Sequence, residues 1–335
     1  MPSPSYAANF LHNIIPAKIL GVGTAPIYTA FLSAQGRILQ DVFVYPPSWE
    51  GEKKHEWLVE VDADSATDLL KHLKKHKLRA KFAMELLSGH DPRPGMGTRL
   101  VLNSAVQQAV RSRIEQRHHH SSSSNDSVDP PVVNDAPLEQ YTIHRMLNGL
   151  AEGQREIISG QALPQESNLD FLGGIDFYKG CYLGQELTIR THHTGVVRKR
   201  ILPCQLYDEN KQHQQQTAPI FTHNAHSTPI GLPPPESNIT KVAATQQRRG
   251  RSTGKWLHGV GNIGLALCRL EMMTDIRLTA ETAAATYSPE DEYQIEWEAL
   301  VAPPQQPPQD GGGGPAVVVG RSARIRPFVP AWVRR

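Results

Sequence analysis

The sequence predicts an α+β fold completed by a C-terminal β-barrel, and three observations predict it. Strand-length apolar runs and a helical repeat share the first hundred residues, a glycine-punctuated stretch crosses the middle, and short apolar strands alternate with long biased insertions from about Ile201. At roughly 150 residues per domain, a chain of 335 residues makes two domains or three small ones. The segments expected are 1–111, an N-terminal α+β domain; 112–137, a flexible low-complexity loop; 138–200, a second α+β segment; and 201–335, a barrel domain with disordered insertions.

Phe10-Leu11 reads as part of a first helix. Tyr28 to Leu32 and Ile38 to Tyr45 are β-rich runs joined by Ser33-Ala34-Gln35-Gly36-Arg37, a hairpin with glycine in its turn. Trp57 to Val61 makes a further short strand. Asp64 or Ser65 can cap a helix whose Ala66, Leu69, Leu70 and Leu73 recur at helical spacing, with Lys71, Lys74, Lys75 and Lys77 on a solvated face. A strand is expected around Lys81 to Leu86. Between 112 and 137 the pattern breaks into His118-His119-His120, a serine run and Pro130-Pro131, the composition of a mobile linker. A helix over Tyr141 to Leu150 ends at Gly149 or Gly153, and Leu169 to Glu186 leads into a strand near Leu187 to Arg190. The barrel strands expected are Ile263 to Cys268, Tyr293 to Trp297 and Ala316 to Val319.

Charge and cysteine usage exclude several classes. Lys and Arg total 35 against 33 Asp and Glu, a net charge of +2, whereas a dedicated nucleic-acid binder carries a strong basic excess. No apolar run approaches the roughly 18 residues that suggest a membrane span. Met1 to Asn9 lacks the features of a signal or transit peptide, so the expectation is a chain whose address has been removed. The three cysteines, Cys181, Cys204 and Cys268, are too scattered for a disulfide framework and indicate a reducing compartment. They are also fewer than the four ligands that an iron–sulfur cluster or structural zinc takes, so such a centre would be shared with a partner.

Two motifs stand out. Gly259-Val260-Gly261-Asn262-Ile263-Gly264 matches the dinucleotide fingerprint, but Lys255-Trp256-Leu257-His258 is a poor buried parallel strand, and Ala284 stands where the ribose-binding acid belongs. A glycine-rich turn into a barrel strand is the better reading. In Lys179-Gly180-Cys181-Tyr182-Leu183-Gly184-Gln185-Glu186, Gly180 and Gly184 leave room for a ligand or another chain. Lys179 can favour the thiolate, the form that attacks electrophiles and binds soft metals, and Glu186 can pair with Lys179 or Arg190. The residues alone leave open whether Cys181 is a reactive thiol or a cysteine buried in a turn. For Cys204 and Cys268, in strand-like apolar contexts, burial is favoured. A cysteine hydrolase would need a histidine base, for which His192 and His193 are candidates by proximity in sequence.

The segment Lys179 to Glu186 resembles the K-G-C-Y-x-G-Q-E motif of YgfZ-like proteins, relatives in fold of the folate-dependent aminomethyltransferase of glycine cleavage (GcvT). Gly36 to Asp41, Asp91-Pro92-Arg93, Gly97-Thr98-Arg99, Gly149 to Gly153, Leu163-Pro164 and Gly264-Leu265-Ala266 extend the resemblance over most of the chain. It departs at the start, where the family's first strand is missing or replaced. The resemblance implies a three-domain aminomethyltransferase-like (GcvT/YgfZ) ring with a C-terminal β-barrel. It also implies an assembly factor of the mitochondrial matrix, of a fungal kind, for four-iron four-sulfur proteins, with A-type scaffold proteins as partners; the chain alone is expected to be a monomer. Cys181 would then be a shared ligand of a two-iron two-sulfur or four-iron four-sulfur cluster, or a redox thiol. Within the same resemblance, the enzyme alternative is a tetrahydrofolate-dependent aminomethyltransferase. Arg190, Arg198, Lys199 and Arg200 are then candidate counterions for folate carboxylates, while the basic run Arg248, Arg249, Arg251 and Lys255 reads as solvated surface.

Overall fold

In the computed structural model the residues described are 6–47 apart from 22 and 24, 57–84, 137–207, 223, 231–242, 252–278, 287–301 and 317–334. The His triplet, the motifs at 91–99, the Gln- and His-rich run 212–216, Arg248 to Arg251 and Ala284 lie outside them. The chain forms two compact units, one of Met1–Met84 with Met146–Arg335, the other Glu85–Arg145.

The first unit begins with helix α1 (Tyr6–Ile14) and an antiparallel sheet of β1 (Ile27–Leu32), β2 (Ile38–Tyr45) and β3 (Leu58–Glu60) in that order. Helix α2 (Ala66–Lys77) follows a 3-10 turn. Leu11 and Ile14 of α1, Phe31 of β1, Val42 and Val44 of β2 and Leu69 of α2 form one buried cluster, so both helices cover the same sheet. The β1–β2 turn uses Gly36 at φ +78°, where a side chain would be strained. At the start of α2, Ser65 makes no side-chain cap; Asp62 instead caps the 3-10 turn by accepting from the Asp64 amide at 3.2 Å. The strand expected around Lys81 does not form over 81–84, the part of it that is described. There Phe82 packs its ring on Phe10, with centroids 5.1 Å apart.

Helix α3 spans Leu138–Leu147, beginning and ending earlier than its expected 141–150, and Gly149 follows at φ +72° as a C-terminal cap. In the second unit the described residues are 137–145, Pro137 and most of α3, where Thr142 Oγ1 donates to the Leu138 carbonyl at 3.0 Å. Residues 187–190 are helical, not extended. They lie inside α4 (Gln185–Thr194), entered through Gly184 at φ +78°. Short apolar runs cannot separate strand from helix by themselves.

The C-terminal part closes into a six-stranded barrel of β4 (Lys199–Tyr207), β5 (Asn238–Lys241), β6 (Gly254–Val260), β7 (Ile263–Arg269), β8 (Tyr293–Val301) and β9 (Val317–Pro327). Their order round the barrel is β4-β7-β6-β5-β8-β9, with β4 also pairing β9, and a short helix α5 (Leu270–Met273) follows β7. The fingerprint-like glycines lie in the β6–β7 hairpin, whose strands pair from Val260↔Ile263 outward. Gly261 takes φ +60° in the two-residue turn. Gly259 and Gly264 make room for the buried ring of Trp256, because a Cβ at either position would come within 2.5 Å of it. The segment expected to be a poor parallel strand is therefore an antiparallel barrel strand. Cys204 and Cys268 are fully buried in this core, with sulfurs 3.9 Å apart. No helix among the described residues is long and apolar enough to cross a membrane.

Candidate functional site

The Lys179–Glu186 segment is a loop running from a turn into α4, and backbone contacts to the end of α1 set its path. The Asp176 amide donates to the Pro16 carbonyl at 3.0 Å, and the Leu183 amide donates to that of Asn13 at 3.1 Å. Between these two anchors, Lys179 Nζ donates to the carbonyls of Ile15 at 2.8 Å and Ala17 at 3.0 Å, and also to that of His12. A helix C-terminus offers such unsatisfied carbonyls and favours a cation beside them. Burial pulls the Lys179 ammonium down to about 8, with Asp176 opposing the shift. Burial, and then the Lys179 charge, also lower the His12 imidazole.

This placement changes the role expected of Lys179. An ammonium has three N–H bonds, and all three here go to carbonyl oxygens, so none remains for the thiol or for Glu186. Lys179 also lies 5.1 Å from the centre of the Tyr182 ring. Tyr182 is 6% exposed, and burial pushes its phenol up to about 12. Its hydroxyl lies near that of Thr188, but the two are not aligned as a hydrogen bond.

Cys181 itself is exposed. A Cβ added at Gly180 would meet nothing within 4 Å, so the backbone beside the thiol is open to an approaching chain. Gly184 is the opposite case. A Cβ there would lie 2.4 Å from the Ser33 carbonyl oxygen and 3.1 Å from Gly36 Cα, and one on Gly36 would lie 2.9 Å from the Gly184 oxygen. These two glycines let the motif and the β1–β2 hairpin touch backbone to backbone, so Gly184 serves the fold.

One face of α4 borders a cleft of about 570 Å³ lined by Gln185, Glu186, Ile189, Arg190 and His193, together with Tyr182, Gly184 and Ala34. Cys181 is not among its lining residues. The other histidine candidate, His192, stacks on Phe177 with ring centroids 3.7 Å apart and planes 11° apart, which ties the motif loop to α4. Arg200 is not a ligand counterion. It is buried, makes a two-pronged bond to Asp170 at 2.9 and 2.8 Å, and caps the Gln165 carbonyl at 2.7 Å. Lys255 pairs with Glu236 at the surface. Among the described residues, no group of three or more His, Cys, Asp or Glu is placed to hold a metal ion.

Asp41 is an acid to which the local pattern of residues gives no role. It is buried on β2, and its Oδ2 accepts from the Gly153 amide at 3.0 Å and from the Tyr28 hydroxyl at 3.3 Å. Oδ1 has no partner among the described residues. Burial raises its carboxyl to about 6, Glu152 adds to the rise, and the Gly153 and Tyr28 hydrogen bonds oppose it. An acid raised in the folded state binds more protons than the unfolded chain between about pH 4 and 6, so this contribution to stability declines as pH rises through that window. Asp41→Asn should therefore stabilise the chain at pH 7 by about 1–3 kcal/mol. It should also flatten the fall between pH 4 and 6, as read by urea unfolding at a series of pH values.

Three comparisons relate the chain to known proteins. The family model described as CAF17, C-terminal beta-barrel domain, matches residues 198–293, which include β4 to β7. A protein of Aspergillus oryzae described as "Iron-sulfur cluster assembly factor IBA57 homolog, mitochondrial" is 41% identical over 351 residues, covering 92% of this chain and 72% of that protein. One of Pyricularia oryzae with the same description is 42% identical, covering 98% and 81%. Among solved structures, glycine cleavage system aminomethyltransferase T from Bartonella henselae matches with a TM-score of 0.54 at 12% identity, over 98% of this chain and 82% of that one. At that identity the likeness is one of fold.

Proposed function

Since the chain belongs to the family of mitochondrial iron–sulfur cluster assembly factor IBA57 homologs, we propose that it works by meeting a cluster-bearing partner through Cys181. The observation that carries this reading is the contrast among its thiols. Cys204 and Cys268 are sealed in the barrel, whereas Cys181 is exposed on a loop pinned to α1. The cluster is cargo here. One thiolate supplies one of the four cysteine ligands a cluster takes, so the partner supplies the rest. In this step the Cys181 thiol loses its proton to solvent and the thiolate binds iron, with no change in oxidation state.

We assign the partner role to A-type scaffold proteins, place the encounter in the matrix, and take the chain to be a monomer until the partner binds. A two-iron two-sulfur cluster is the simplest shared cargo, and four-iron four-sulfur proteins are its destination. The family relationship favours assembly over tetrahydrofolate-dependent one-carbon transfer, because the aminomethyltransferase likeness carries only the fold.

The test is anaerobic mixing with an A-type scaffold that carries a two-iron two-sulfur cluster, for the wild type and for Cys181→Ser. Co-elution on gel filtration and visible circular dichroism report the complex. A stable cluster-bearing heterocomplex that the serine variant does not form is the result expected. Equal behaviour of the two proteins would overturn ligation by Cys181.

A further inference from the structure

Tyr178 is 97% exposed, more than any other large apolar side chain among the described residues. A single exposed aromatic needs no explanation where the chain beneath it is loose. Here the chain is held on both sides. The Tyr178 amide donates to Asp176 Oδ1 at 2.8 Å, and the Asp176 amide is tied to Pro16. Lys179, the next residue, spends its ammonium on three carbonyls of the α1 end, and Phe177, the preceding residue, is stacked on His192. A large ring is thus presented to water on a pre-ordered loop, three residues from the exposed thiol and beside the open backbone of Gly180.

We propose that Tyr178 is the anchor of the protein that meets Cys181, its ring entering an apolar recess beside the partner's cluster cysteines. This rests on the Cys181 reading above. Three physical arguments support it. Tyrosine carries a large apolar face and a polar tip, which is why it is enriched where interfaces bury their anchors. A loop already ordered loses little conformational entropy on binding, so the burial of the ring appears as affinity. A cluster shared between two chains is tuned by the hydrophobic shell that limits solvent access around it, and a ring three residues from the thiol can join that shell once a partner buries it. The occupant is accordingly a protein presenting cysteine thiolates inside an apolar rim, rather than a small thiol or a free cluster.

The experiment measures the dissociation constant of the wild type, Tyr178→Ser, Tyr178→Phe and Cys181→Ser for the A-type scaffold with and without its two-iron two-sulfur cluster. Thermal unfolding of each variant serves as the control. Because the ring is solvated, the thermal midpoint of Tyr178→Ser should match the wild type. Its dissociation constant should rise about 30-fold, the effect of an interface anchor, both with and without cluster, and Tyr178→Phe should restore most of the loss. A Tyr178→Ser constant within twofold of wild type overturns the anchor, even if Cys181→Ser abolishes the cluster-bearing complex and so upholds ligation. A weakened Tyr178→Ser with unaffected Cys181→Ser upholds the anchor while ligation fails. No complex with the wild type overturns both.

Discussion

Gly184→Ala should destabilise the chain by about 3 kcal/mol, the sum of roughly 1 kcal/mol or more for an L-residue in the left-handed region and of an overpacking cost. Its φ is +78°, and the new methyl would meet the Ser33 carbonyl oxygen at 2.4 Å and Leu32 Cβ at 3.0 Å. Those atoms are backbone and the root of a core side chain, so neither can swing aside. The hairpin turn must move away from the start of α4, and Gly36, packed on the other side of the same contact, moves with it. Urea unfolding should show a lower midpoint with an unchanged slope. A loss below about 1 kcal/mol, no more than the backbone conformation alone costs, would mean that the hairpin and the motif do not touch as described. Gly180→Ala is the matched comparison, since a methyl there meets nothing within 4 Å, and it should cost little stability.

Lys179→Met should cost about 2–3 kcal/mol, because hydrogen bonds from a charged donor contribute more than neutral ones and their removal leaves partly buried acceptors unpaired. Methionine keeps the length and much of the apolar contact of the stem but offers no donor to the carbonyls of His12, Ile15 and Ala17. The consequence beyond stability is positional. With the clamp gone, the stretch from Asp176 to Leu183 is left with its two end hydrogen bonds to the chain at and just past the end of α1, from the amides of Asp176 and Leu183. Hydrogen exchange at the Leu183 amide should accelerate relative to the barrel amides. The yield of cluster-bearing complex should fall although Cys181 is intact. Unchanged exchange at Leu183 together with a lower melting temperature would make Lys179 a stabilising residue without a positioning role.

Much of the frame was legible because its signals are local. The glycine of the β1–β2 turn, the helical spacing of Ala66, Leu69, Leu70 and Leu73, and the alternation of short strands with biased insertions are each read within a dozen residues. The Gly259–Gly264 fingerprint could be set aside on equally local grounds, since its flanks do not suit a dinucleotide site. The structure adds the reason those glycines are there, which is the ring of Trp256. The failures were local signals outweighed by distant contacts. Leu187 to Arg190 reads as a strand, yet the segment is a helix entered through Gly184, whose backbone packs against the hairpin. Arg200 looked like one of a basic group available to an anion, until Asp170 and the Gln165 carbonyl, 30 and 35 residues earlier, claimed it.

The candidate site divides in the same way. Its chemistry is written in the residues themselves, because a thiol between glycine and tyrosine in an eight-residue motif is a property of side-chain identity, and the inventory of three cysteines limits what one chain can ligate. How that chemistry is presented is a matter of tertiary packing. Lys179 sits two residues from the thiol but bonds to carbonyls more than 160 residues away, so that it holds the loop instead of pairing with the sulfur. Gly184 was spent on the hairpin, Gly180 was left open, and Tyr178 was set in water beside Cys181. Such assignments depend on where the end of a first helix meets a loop far along the chain. Pairings of that kind follow from the packing of the whole unit, which no local pattern encodes.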